Sequence, residues 1–347
     1  MEFENDGNPG EAGQANRVYN YAVPSLDNQN KGRGWRIFWG IFTVLSVLIN
    51  IFLVLMLIGM GVMLFTGTGA GDMFLEEIVE KGPGNKRIAI INIYGGIDLE
   101  QSRSFQKQIK SATEDDNIKG LIVRVSSPGG TVSASDQIHK HIMDFRSDTN
   151  KPVVALMQSI ATSGGYYASV ACDTIIAEPT AITGSIGVIM GYLVVEELFE
   201  QKLGIQPVIV KSGKRKDWPS GFRMPSEEEL RYLDDTLITP AYERFVGIVN
   251  DGREQLTMEQ VKTIADGSIF MADKALELEL IDEIGYLDDA VDTVKKMAGI
   301  KEAQVFEYRR AFSLSDIFSS AQSFKIDRMS MYEFTSPDVL YLWNGQQ

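Results

Sequence analysis

Histidine and cysteine are almost missing from this 347-residue chain, which has two histidines, His139 and His141, and one cysteine, Cys172. A single thiol makes an intrachain disulfide impossible. Two histidines exclude multi-histidine metal sites and leave little material for a histidine-based triad. They lie two apart on a segment that reads as helix, so they point in different directions. Positive charge is also scarce: 33 Lys and Arg face 47 Asp and Glu, a net charge of -14. So many carboxylates repel a phosphate backbone unless a basic patch is segregated. None is visible, so nucleic acid is not expected as a partner. The same charge repels anionic lipid, so any membrane attachment has to be hydrophobic. No internal repeat is evident.

Apolar residues are plentiful, at 44%, so a substantial core can form. Residues 1–36 are polar, rich in Asn, Gly, Glu and Gln, and read as a disordered tail. From Ile37 to Phe65 no charged residue occurs. Roughly 20 apolar residues cross a bilayer, so 37–65 is expected to be a transmembrane helix. A cleaved secretory signal is the alternative, but its apolar region is only about 7–15 residues. Arg17, Lys31, Arg33 and Arg36 precede the span, whereas Asp72, Glu76, Glu77 and Glu80 follow it. The positive-inside rule then places the N-terminus in the cytoplasm and the large domain outside. Thr66-Gly67-Thr68-Gly69-Ala70-Gly71 superficially resembles a phosphate loop. It leaves the apolar span directly and follows no soluble strand, so 66–86 is expected to be a linker.

Beyond Arg87, short β-branched runs alternate with helical patterns. Ile88–Ile93, Leu121–Val125, Pro152–Leu156, Ile175–Ala177, Ile186–Ile189 and Val208–Val210 read as strands. Helices are expected over 101–114 and 133–147, with another opening near Ser163. This rhythm predicts an α/β domain with parallel strands and flanking helices over 87–300. Ser226 with Glu229, and Thr257 with Gln260, have capping-box spacing. Leu230, Leu233, Leu237, Ala241 and Ile248 form a helical stripe that Pro240 should split or kink. Residues 301–347 read as a C-terminal tail. Its run Val339-Leu340-Tyr341-Leu342-Trp343 is apolar enough to dock on the domain or on a neighbouring subunit.

Three segments could carry chemistry. In Ala161-Thr162-Ser163-Gly164-Gly165-Tyr166-Tyr167, a serine opens a helix after a strand. A helix start exposes free N–H groups and partial positive charge, and the glycines let a substrate approach. The plainer alternative is an N-cap serine. Ser127-Pro128-Gly129-Gly130 ends a strand, where open α/β sheets bind ligands. It is either an ordinary turn or a donor of backbone N–H to an oxyanion, with Ser163 N–H as the second donor. A serine needs a base. A lysine serves if burial brings its pKa down from about 10.4 toward neutrality, and composition does not choose among the lysines.

With Thr183-Gly184-Ser185-Ile186-Gly187-Val188 and Lys211-Ser212-Gly213-Lys214-Arg215-Lys216-Asp217, the serine motif resembles the signal peptide peptidase A family. The resemblance runs from about residue 87 to 290 and includes Asp266-Gly267 and Leu280-Ile281-Asp282. It implies a Clp/crotonase-like fold and a membrane-anchored Ser/Lys-dyad serine peptidase needing no metal or other cofactor. It further implies Ser163 as nucleophile, Lys216 as general base, Ser185 as the residue that orients the lysine, and Gly130, beside Gly129, as oxyanion donor. Lys214 is the rival base. Glu279 stands where the family commonly has glycine. The implied substrates are remnant signal peptides and other short or unfolded membrane-proximal peptides. The implied assembly is a ring-shaped homo-oligomer whose neighbours complete each other's sites. A catalytically silent scaffold, or an acyl-CoA enzyme of the same fold, is the alternative function.

Overall fold

A computed structural model describes residues 31–65, 74–310 and 338–342. The expected N-terminal tail, the glycine-rich run at 66–71 and most of the C-terminal tail lie outside the described residues. The chain divides into two units, Met1–Thr68 and Gly69–Gln347. In the first, helix α1 (Lys31–Phe65) contains an uncharged apolar stretch, with a candidate span over Gly34–Gly59 of 26 residues. At 1.5 Å per residue those 26 residues are about 39 Å long, more than the ~30 Å of a bilayer's hydrocarbon. By length and composition this helix can cross a membrane.

The second unit begins with β1 (Phe74–Glu80), β2 (Arg87–Ile97), α2 (Leu99–Glu114), β3 (Ile118–Thr131) and α3 (Val132–Thr149). It continues with β4 (Val153–Thr162), α4 (Gly164–Ser169), β5 (Thr174–Ala177), β6 (Ile182–Gly184) and β7 (Ile189–Gly191). A π-helical turn at Leu198–Lys202 precedes α5 (Glu227–Leu233), a second such turn (Asp234–Ile238) and α6 (Thr239–Gly252). The last elements are α7 (Met258–Ile264), β8 (Ile269–Met271), α8 (Ala272–Glu277), β9 (Glu283–Ile284), α9 (Leu287–Met297), β10 (Gln304–Arg310) and β11 (Asp338–Leu342).

The main sheet runs β1-β10-β2-β3-β4-β5-β9. Only β1 is antiparallel within it; β10, β2, β3, β4, β5 and β9 are parallel. A parallel sheet is covered on both faces, which explains why its strands read as unbroken apolar runs. Ile88, Ile90, Ile122, Val154 and Leu156 face one side, against Val291 and Val294 of α9. Ala89, Ile91, Val123, Val125 and Ala155 belong to the opposite core, with Phe105, Ile138 and Phe245 from the helices. The sequence-predicted α/β domain with flanking helices is therefore present.

Its limits are wider than 87–300. Strand β1 lies inside the segment read as linker, and β10 and β11 lie inside the segment read as tail. Both assignments came from composition, whereas tertiary pairing recruits these pieces as strands. Two expected strands are absent. Of Ile186–Ile189 only Ile189 lies in a strand, as the first residue of β7, because the chain turns just before it at Ser185 with φ 49°. Val208–Val210 has no strand partner, and Val208 and Val210 are 85% and 95% exposed. β-Propensity needs a neighbouring strand, and the described chain offers none there. Pro240 splits the helical stripe as expected and sits in the first turn of α6. The Thr257–Gln260 capping box forms in full. At Ser226 only half forms, since its hydroxyl accepts the Glu229 N–H at 3.2 Å but the Glu229 carboxylate goes elsewhere.

Glu279 has φ 58°, in the left-handed region where glycine carries no penalty. A glycine, which the resemblance leads one to expect here, would avoid that penalty. Beyond it, Asp282 takes a two-pronged ion pair from Arg253 at 2.8 and 2.9 Å and accepts the Ile175 N–H at 2.7 Å. Those bonds, and Tyr166 Oη donating to Leu280 O at 2.9 Å, fix the Leu280-Ile281-Asp282 stretch behind the serine helix.

Candidate active site

Strand β4 delivers Ser163 to the start of α4. Ser163 has φ 53° and ψ -115°, and it makes no side-chain capping bond. A capping serine sits in the extended region and bonds the helix N–H groups, so the capping alternative does not describe this residue. Holding a non-glycine residue in so sparse a region costs about 1–3 kcal/mol. Neighbours hold it there: Ser163 N–H donates to Gly184 O at 2.8 Å, and Tyr166 and Tyr167 are wholly buried. The result is a strained strand-to-helix elbow, a geometry that presents a nucleophile.

Ser185 stands beside it. Strand β6 pairs parallel with the end of β4, in register Ile160 with Ile182 and Thr162 with Gly184. The next residues on each strand are Ser163 and Ser185, with φ 53° and 49°. Strand spacing separates their backbones by about 4.8 Å. Ser185 N–H donates to Ser268 O at 2.7 Å. The structure thus brings together the two serines that the sequence singled out.

The glycine turn closes the other side. Gly129 has φ 104°, a conformation suited to glycine alone. A Cβ on Gly129 would collide with the Tyr341 carbonyl oxygen and lie 2.8 Å from the Gly164 nitrogen. One on Gly164 would collide with Ser135 Oγ and lie 3.2 Å from the Gly130 nitrogen. The turn and the helix start therefore converge on one small space, into which a peptide carbonyl projects. That carbonyl belongs to β11, which runs antiparallel to β3 with Tyr341 opposite Gly130. The Tyr341 ring is buried between Tyr167 and Phe245, at centroid distances of 5.0 and 4.7 Å, and its hydroxyl donates to Ala241 O at 2.8 Å.

The expected donors need revision. Ser163 N–H is committed to Gly184 O, so it is not the second oxyanion donor. Gly129 N–H is taken by Ser127 Oγ at 3.0 Å, and that hydroxyl donates to Gly95 O at 2.6 Å. Gly164, the first residue of α4, faces the turn instead, and the first N–H groups of a helix have no partner within it. Sequence reasoning did not consider the Gly164 N–H as a candidate donor. The signal was its place immediately after Ser163, at the helix start.

Lys216 is not brought to Ser163. It is exposed, and among the described residues its side chain has no hydrogen bond to Ser163 or Ser185. The other cations of its loop are occupied. Lys211 pairs with Asp217 at 2.6 Å and Lys214 with Glu228 at 2.6 Å, while Arg215 covers the Tyr232 ring at 4.2 Å. Lys214, the rival base, is thus engaged, and Lys216 alone of the four keeps an unpartnered amine among the described residues. The hydrogen bond from Lys211 holds the Asp217 carboxyl below its ordinary pKa, and that from Lys214 does the same for Glu228. Neither histidine bonds Ser163 among the described residues. His139 lies edge-on to Tyr167 at 5.4 Å, and burial depresses its pKa to about 4. Burial also lowers His141. Among the described residues, no group of three or more His, Cys, Asp or Glu could hold a metal ion.

Comparison with known proteins gives the family. Residues 146–301 match the model of peptidase family S49. The chain is 38% identical over 245 residues to a putative signal peptide peptidase SppA of Enterococcus faecium, covering 67% of this chain and 70% of that one. It is 33% identical over 273 residues to a putative protease of Methanocaldococcus jannaschii, covering 77% and 84%. Among solved structures it is similar, at TM-score 0.39 and 14% identity, to a variant of the 1510-N membrane-bound stomatin-specific protease, over 60% of this chain and 84% of that one. The chain belongs to peptidase family S49, the signal peptide peptidase A family of serine proteases.

Proposed function

We propose that this chain is a membrane-anchored endopeptidase in which Ser163 attacks the peptide carbonyl and Lys216 is its general base. The observation that carries the reading is the shared space between Gly129, the Gly164 nitrogen and the Tyr341 carbonyl. A strained, buried serine borders a glycine turn that admits one peptide carbonyl beside an unpaired helix N–H. Strand β11 along Gly129–Thr131 supports an extended peptide as ligand, since added strands bind through backbone hydrogen bonds.

In the proposed reaction, neutral Lys216 accepts the Ser163 hydroxyl proton as Oγ attacks. Gly130 and Gly164 N–H groups stabilise the tetrahedral oxyanion. Protonated Lys216 gives its proton to the leaving amine, and water then hydrolyses the acyl-enzyme by the same route. Ser185, adjacent to Ser163, orients the lysine amine. Because Lys216 is exposed within one chain, the surroundings that exclude water from it come from a second copy. A ring of protomers, each lending its lysine loop to a neighbour's serine, meets that need.

Helix α1 supports anchorage by one span. The basic residues before it support a cytoplasmic N-terminal tail over 1–36 and a catalytic domain on the outer face. The linker, 66–86, includes β1, and the peptidase domain at 87–300 takes in β10 and β11. The relative named a signal peptide peptidase supports remnant signal peptides and other short or unfolded peptides as substrates.

The test uses the full-length protein in detergent with a fluorophosphonate probe and a peptide substrate. The unaltered chain labels, Ser163→Ala does not, and Lys216→Ala loses about 10³–10⁴-fold in hydrolysis. A folded chain that neither labels nor hydrolyses refutes the reading in favour of a silent scaffold. Tight binding of coenzyme A would favour the acyl-CoA alternative.

A further inference from the structure

Asp217, next to Lys216, is held from both sides. Lys211 Nζ donates to Asp217 Oδ1 at 2.6 Å, while Arg223 Nε lies 3.7 Å from Asp217 Oδ2 and Arg223 Nη2 donates to Asp217 O at 3.5 Å. Arg223 in turn donates from Nη1 to Glu229 Oε2 at 2.6 Å. Glu229 belongs to α5, its side chain is fully buried, and its Oε1 has no partner among the described residues. Burying a carboxylate is expensive, and leaving one of its oxygens bare adds to the cost. The same carboxylate forgoes the capping-box bond that its spacing from Ser226 offers. The flank of Lys216 away from Asp217 is tied to α5 as well, through Lys214 to Glu228 and Arg215 to the Tyr232 ring. Every charged neighbour of Lys216 in the loop is thus anchored, directly or through Arg223, on one two-turn helix.

We propose that Arg223 and Glu229 are positioning residues for Lys216. Glu229, seated in α5, fixes the Arg223 guanidinium. Arg223 and Lys211 together fix Asp217, and so set the direction in which the adjacent lysine amine leaves the loop. The inference rests on the reading of Lys216 as the base. An exposed lysine has many rotamers, and effective proton transfer needs its amine within hydrogen-bond reach of the serine hydroxyl. A backbone pinned on both sides removes much of that freedom, and a misplacement of about 1 Å costs up to about 100-fold in rate.

The experiment measures kcat and KM for peptide hydrolysis across pH in the full-length protein carrying Arg223→Ala, Glu229→Gln, Arg223→Lys, Asp217→Asn, the double change Arg223→Ala with Glu229→Gln, or Lys216→Ala. Arg223→Ala and Glu229→Gln are expected to lower kcat by about 10- to 100-fold with KM within about two-fold. Arg223→Lys should recover part of the loss, and the double variant should be no worse than Arg223→Ala, since the two residues act as one unit. Asp217→Asn keeps the shape of the loop and carries the same expectation if a change at buried Glu229 prevents folding. An inactive Lys216→Ala beside Arg223 and Glu229 variants of unaltered kcat overturns the positioning role and spares the base reading. Losses that follow the melting temperature and are not recovered by Arg223→Lys also overturn it, because they mark a purely structural role. Full activity in Lys216→Ala overturns the base reading and this inference with it.

Discussion

Ser163 is buried at the end of a central strand, while Lys216 stands exposed on a loop with no strand partner. The serine side is shaped by sterics. It uses positive φ at Ser163, Ser185 and Gly129, glycines whose Cβ positions are already occupied, and neighbours such as Tyr166 and Tyr167 that exclude water. The lysine side is shaped by charge, with its cations paired to Asp217 and Glu228 and its arginines reaching an aromatic ring and a buried carboxylate. Packing fixes atoms to fractions of an ångström and resists salt, whereas exposed ion pairs hold weakly and are screened. The difference teaches that packing sets the serine side of this chain, whereas ion pairs anchored on α5 hold the lysine loop.

The largest expected effect tests that division directly. Chains with Ser163→Ala or Lys216→Ala should each be inactive alone. Mixed in equal amounts and reassembled, random pairing of neighbours predicts activity in about a quarter of the sites. Mixtures that stay inactive at every ratio would place both residues of each site in one chain and erase the contrast.

The next test concerns the steric half. Gly129→Ala puts a methyl group against the Tyr341 carbonyl and 2.8 Å from the Gly164 nitrogen, at φ 104°. We expect kcat to fall about 100-fold, the scale of losing an oxyanion donor. A steady-state assay that finds normal kcat would move the oxyanion site away from this turn.

Burial on the serine side also predicts a pH dependence of stability. His139 has its pKa depressed to about 4 by burial, below the ordinary 6.5. Between these values the unfolded chain binds the proton and the folded chain does not. The resulting stability is complete above about pH 6.5 and falls as pH drops toward 4, by ~3 kcal/mol at most. Urea denaturation at pH 7 and pH 4.5 should show this fall in the unaltered chain and a smaller one in His139→Gln. Equal slopes would show that the helix beside Tyr167 opens to water.

The smallest effect lies in the frame that carries both halves. Glu279→Gly removes a left-handed non-glycine residue, at φ 58°, and should stabilise the domain by about 1 kcal/mol with unchanged kcat. A destabilised variant would show that the Glu279 side chain contributes more than its backbone costs.

Much of this architecture was legible residue by residue. Ile88–Ile93 and Leu121–Val125 read as buried strands because a parallel sheet covered on both faces leaves no polar alternation. Pro240 marked an interruption of the helical stripe, and Thr257 with Gln260 marked a cap, because both signals act within about one turn. Ser226 and Glu229 carried the same local signal and formed only half the motif, since Arg223 competes for the carboxylate. Strands β1 and β10 were not legible. Phe74–Glu80 and Gln304–Arg310 are mixed in polarity, and each becomes a strand by pairing with the other across more than two hundred residues. Within the site, the serines and the glycine turn could be named from motifs, whereas Gly164 was passed over and Ser163 N–H was misassigned.

The sequence by itself determined which chemical groups exist and how they are spaced: one apolar span, a strand leading to a serine before two glycines, a second serine motif, and a loop of four cations. Only the tertiary structure decided which of those groups are still available. The Gly184 carbonyl takes the Ser163 N–H, the Ser127 hydroxyl takes the Gly129 N–H, and Glu228 takes Lys214, leaving Gly164 and Lys216 unengaged among the described residues. A donor or a charge does chemistry only when its partner is not already supplied, and that supply comes from segments that meet through strand pairing and packing rather than through nearness in the chain.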